Sequence, residues 1–83
     1  MKTLHLPIYR IYFDKILAGK KRIEYRQSTI YWTKRLKDDF DCVKFVNGYG
    51  SDKHWMIVEI KQISLVGHYY EIHLGRILEK GNI

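Results

Sequence analysis

The apolar residues of this chain mostly alternate with polar ones in short runs, and only one stretch clearly breaks the rhythm. A period of two puts successive side chains on opposite faces of a strand, so each run reads as a half-buried strand. Thr3 to Ile8 is the first, with Leu4 and Leu6 alternating against Thr3 and His5. Pro7 near its end donates no ladder hydrogen bond, which suits an edge or an exit into a helix. Lys21 to Arg26 is the second, with Ile23 and Tyr25 facing one way and Arg22, Glu24 and Arg26 the other. Cys42 to Val46 is the third, opposing Val43 and Phe45 to Lys44 and Val46. Trp55 to Ile60 is the fourth, continuing with a kink past Gln62 towards Leu65. Tyr69 to Leu74 is the last, and Gly75 to Ile83 reads as a basic, frayed end.

The exception is Tyr9 to Ala18. Tyr9, Tyr12, Phe13, Ile16 and Leu17 fall at helical spacing and make one apolar stripe, read as core. Gly19 supplies the stop, because it takes a left-handed backbone without steric cost. Ser28 or Thr29 caps a second, short helix through about Asp38, with Trp32 and Leu36 one turn apart. A chain of 83 residues holds one domain, spanning 1–83. The expectation is an α+β fold: a small β-barrel of five to six strands with two helices near the N-terminus. Closing the sheet would remove its edges and enclose one core.

The formal net charge is +6. A surplus this large on so small a body suggests an anionic partner, with RNA or DNA the commonest, although lysines also simply keep proteins soluble. Lys15, Lys20, Lys21, Arg22, Arg26, Lys34, Arg35 and Lys37 fall in one stretch, which suggests a patch. The single cysteine, Cys42, allows no intrachain disulfide and reads as a small core residue, so a reducing, cytoplasmic location is expected. No apolar run nears the roughly 20 residues of a membrane span, and no leader marks the chain for secretion. His5, His54, His68 and His73 show no metal-ligand spacing, so neither metal nor cofactor is expected.

Gly19-Lys20-Lys21-Arg22-Ile23-Glu24-Tyr25-Arg26 fits the pattern G-x-K-x-x-E-x-R between an amphipathic helix and an apolar strand. With the helix ending Phe13-Asp14-Lys15-Ile16-Leu17-Ala18-Gly19, and with Phe45-Val46-Asn47-Gly48-Tyr49-Gly50, it resembles the ASCH domain family over nearly the whole chain. The resemblance implies a PUA-like β-barrel with a cleft beside the motif. It implies a role in RNA binding or RNA metabolism. Some members of the family are enzymes, one group an acetylcytidine amidase and another described as a ribonuclease.

The motif also has a chemistry of its own. Lys21 sits at the lip of a strand, and Arg26 offers a planar fork for phosphate or carboxylate. Glu24 either accepts hydrogen bonds from a base edge or forms a plain ion pair with Lys21 or Arg26. Candidate ligand contacts are Lys20, Lys21, Arg22, Glu24, Arg26, Asn47 and Tyr49. Tyr49, between two glycines, is the best candidate for an exposed stacking ring; Tyr31 and Trp32 are others, Trp32 equally a core residue. Asn47 reads a base edge or holds the turn.

Three functions fit. The first is an RNA-binding module for a single strand or a nucleotide. The second is a small hydrolase, amidase or ribonuclease, with Lys21 and Glu24 catalytic. Its amidase form needs a later glutamate, for which Glu59 and Glu71 are candidates by type, and the amidase relatives carry threonine where this chain has Glu24. Its ribonuclease form would pair Lys21 with His54 or His73. The third is a protein-interaction module for an acidic partner.

Overall fold

The computed structural model describes residues 1–48 and 53–83. It is a small α+β domain in which one curled, five-stranded mixed sheet forms a half-barrel with two helices. In chain order the elements are β1 (Thr3–Pro7), α1 (Arg10–Leu17), β2 (Ile23–Gln27), α2 (Ile30–Arg35), β3 (Cys42–Asn47), β4 (His54–Val66) and β5 (Tyr69–Gly81). The strand order is β1-β3-β4-β5-β2, with β1 parallel to β3 and every other pair antiparallel.

A hairpin of two 13-residue strands, β4–β5, is the spine. Gly67 supplies the φ of +60° that its two-residue turn needs at the first position. β2 pairs with residues 69–73 of β5, near the tip, whereas β3 pairs with residues 54–59 of β4, near the base. Between those halves the register shifts at Ile57/Val58, Val58/Ile60 and Ile60/Gln62. Bulges bend and over-twist a strand, so this run of irregularities curls the sheet. The sequence places the kink in the continuation past Gln62; the irregularities fall just before it, between Ile57 and Gln62. The core fills the concave face: Leu4, Leu6, Val43, Phe45, Met56, Val58, Ile72 and Leu74 meet Phe13 and Ile16 of α1.

Four expectations need correction. The C-terminal segment does not fray. β5 runs on to Gly81, pairing Ile77, Glu79, Lys80 and Gly81 with Val58, Ile57, Met56 and Trp55. The barrel does not close by hydrogen bonding, because β1 and β2 are the two ends of the sheet order. Side chains span the gap instead: Arg35 Nη2 of α2 donates to His5 O at 2.7 Å, and Arg26 Nη2 of β2 to Pro7 O at 3.4 Å. The stripe of α1 is not all core. Phe13 and Ile16 are buried, but Tyr9 is 76% exposed and Tyr12 44%. α2 ends at Arg35, sooner than expected, although Thr29 caps it, its Oγ1 accepting from Trp32 N.

Gly81 packs flat on the Trp55 indole. A Cβ built there would lie 2.3 Å from the ring. Gly81→Ala should therefore lower stability by about 1 kcal/mol, the low end for overpacking because Trp55 is only partly buried. Urea unfolding followed by tryptophan emission measures it; an unchanged midpoint would mean the end of β5 does not pack here.

Candidate functional site

The turn after α1 sets the site. Gly19, with φ +75°, follows Ala18, and its N–H donates to Ile16 O while Lys20 N donates to Lys15 O. This is a Schellman closure, which satisfies the last helical carbonyls and reverses the chain. Lys21 N also reaches Lys15 O, so the Lys21 backbone is anchored just before β2 begins.

β2 then does something unusual for a strand. Its charged face points inward. Glu24 pairs with Ile72 across the ladder and shares its buried side, while Tyr25 on the opposite face is half exposed. The Glu24 side chain is only 9% exposed, and two cations offset its charge. Arg26 Nη2 donates to Glu24 Oε2 at 2.7 Å. Lys21 Nζ lies 3.5 Å from Glu24 Oε1 and donates to Ile23 O at 2.7 Å. The Lys21 and Arg26 side chains are 18% and 20% exposed.

Aromatic rings hold these cations in place. Lys21 Nζ sits 5.5 Å from the Tyr12 ring centroid and 5.3 Å from that of Tyr25, within cation–π range of both. Arg26 lies 5.1 Å, and Arg35 5.7 Å, from the Trp32 ring. Trp32 packs against the core, so its alternatives resolve: it supports the arginines from beneath.

An open cleft of about 760 Å³ lies over this cluster, between the ends of β1 and β3 and the inner face of β2. Lys21, Glu24, Arg26 and Asn47 all line it. Asn47 holds structure as well, since its Nδ2 donates to Ile8 O at 3.1 Å. Tyr9, Tyr12 and Tyr25 complete the wall. Sequence reasoning missed these three as site residues. Helical spacing alone assigned Tyr9 and Tyr12 to the core; the signal was their hydroxyls, which a stripe of pure core would lack.

Lys20 and Arg22 do not line this cleft. Both are exposed, and Arg22 borders a smaller hollow beside Gly75 and Arg76. Tyr49 lies outside the described residues. The candidate acids and bases do not converge on Lys21. His73 Nε2 lies 3.1 Å from Glu71 Oε1, both on the face of β5 opposite Ile72. His54 stacks near Phe13, and Glu59 lies against Gly75 and Arg76 N. Among the described residues no three of His, Cys, Asp and Glu gather as a metal-ligand set, and no helix is long and apolar enough to cross a membrane. Comparison with protein-family models, curated proteins and solved structures finds no match.

Removing one partner from a mostly buried ion cluster leaves the others uncompensated. Glu24→Leu should cost on the order of 3 kcal/mol, whereas Lys21→Met/Glu24→Leu/Arg26→Met together should recover most of that loss. Urea midpoints of the two variants decide it. Equal losses would mean the three charges do not act as one unit.

Proposed function

We propose that the cleft binds a nucleotide unit of single-stranded RNA, and that the chain is an ASCH-type, PUA-like RNA-binding domain acting in the cytoplasm. The observation that carries the reading is the company Glu24 keeps: a carboxylate and two cations inside one aromatic-walled cleft. Each part suits one part of a nucleotide. Guanidinium and ammonium groups grip phosphate. Tyrosine rings stack on bases, and a fixed carboxylate accepts from base N–H groups. The volume falls within the usual range for small-ligand sites, about 300–1,000 Å³.

The hydrolase reading has less support. A general base must be within reach of its proton and carry a free lone pair. Lys21 Nζ instead donates to the Ile23 carbonyl and sits against a carboxylate and two rings. Neither histidine nor later glutamate lines the cleft beside it.

The test is binding of a fluorescent, mixed-sequence single-stranded RNA across a salt series. Two phosphate contacts predict that log K falls against log salt with a slope of about −1.4 from this cleft. Lys21→Ala/Arg26→Ala, checked for folding by circular dichroism, should abolish most binding and flatten the slope. Tyr12→Ala should weaken binding by about 1–3 kcal/mol if a base stacks there. A folded double variant that binds as well as the parent would remove the cleft from consideration.

A further inference from the structure

Glu24 has capacity to spare, and its position says for what. A carboxylate has about four lone-pair sites. Arg26 takes one, on Oε2. Among the described residues Oε1 accepts no hydrogen bond, since Lys21 Nζ stands 3.5 Å away with its short bond directed at Ile23 O. Among the described residues the fully buried side-chain polar atoms without a partner are Arg26 Nε and Arg35 Nε alone. Oε1 therefore reaches solvent, and Glu24 lines the cleft. It is also the only carboxylate that does so among the described residues.

An acceptor of this kind selects among bases by the pattern of donors each presents. Guanine alone offers two adjacent N–H donors on its Watson–Crick edge, N1–H and the 2-amino group, followed by the acceptor O6. Adenine and cytosine turn a ring-nitrogen lone pair towards the same place, which a carboxylate repels. Uracil offers one N–H between two carbonyl oxygens, which it also repels. The O6 of guanine needs a cation next to the carboxylate, and Lys21 has N–H bonds beyond the one on Ile23 O. Resting on the nucleotide reading above, we infer that Glu24 and Lys21 make this a guanine site, read through the Watson–Crick edge. That edge is free only in unpaired RNA, so the same contact excludes duplex.

The arrangement is preorganised. Glu24 is fixed by Arg26, and Lys21 by a carbonyl and two rings, so little side-chain freedom is lost on binding. A bidentate contact of this type discriminates by roughly 5- to 150-fold.

Isothermal titration of the full chain with GMP, IMP, AMP, CMP and UMP at low salt tests the inference. GMP should bind at least about tenfold more tightly than AMP, CMP or UMP. IMP keeps N1–H and O6 but lacks the 2-amino group, so it should fall between. Glu24→Gln, confirmed folded by circular dichroism, should lose the preference. The inosine comparison uses the unaltered protein and stands even if that variant does not fold. Comparable binding of all five, or a preference for another base, overturns the guanine assignment while leaving the cleft a nucleotide site. No binding of any of the five, together with no binding of single-stranded RNA, overturns both.

Discussion

The outer edges of β1 and β2 never pair with each other, and the rest of the structure depends on what spans that gap. An unpaired edge is a template for unwanted strand addition. Here Pro7 withholds one donor, and two arginines occupy carbonyls two residues apart on β1, His5 O and Pro7 O. Both guanidinium groups lie over Trp32, which α2 delivers. α2 is held in turn by its Thr29 cap and by Tyr70 Oη bonding to Thr33 Oγ1 at 3.0 Å. Side chains thus span the gap where no ladder joins β1 to β2. The cleft is the part of the gap that remains open, and Arg26 serves both the closure and the site.

That economy carries a cost. A mostly buried cluster of one carboxylate and two cations seldom stabilises a fold better than apolar residues of the same volume. Ile72 across the ladder from Glu24 shows that an apolar side chain fits this face. What the charges provide is fixed orientation. Glu24 cannot rotate without losing Arg26, and Arg26 cannot move without leaving Trp32 and Pro7 O. A site assembled from such mutually locked groups has little side-chain freedom left to lose, which on the proposed reading would favour selectivity among similar bases.

Much of this was legible from residue order. Alternation located all five strands and Gly19 located the helix stop, whereas the bend of β4 falls slightly earlier than the continuation past Gln62 where the sequence placed it. Period two also grouped Glu24 with Arg26. It did not say that their face turns inward, because alternation is blind to which side meets the core. The length of β5 was hidden for a similar reason. Arg76 to Lys80 lacks clean alternation, since this half of the strand is largely exposed and its pairing rests on β4. Tyr9 and Tyr12 keep helical spacing yet miss the core: Tyr9 is the N-cap, ahead of the helix, and both residues line the cleft.

The charge of the chain misleads in an instructive way. Basic residues adjacent in sequence suggested one patch, but folding distributes them. Lys21 and Arg26 line the cleft, Arg35 braces β1, and Lys20 and Arg22 face solvent elsewhere. The described cleft lining itself carries two cations and one carboxylate. Across a molecule 34 × 26 × 24 Å, most of the net +6 lies beyond a Debye length of any one point at physiological salt, about 8 Å. The distant charges therefore act on how fast an anion arrives. On the proposed reading, which anion stays is decided within the few ångströms where Glu24, Lys21 and Arg26 are locked together, and there the lone negative charge is as informative as the two positive ones.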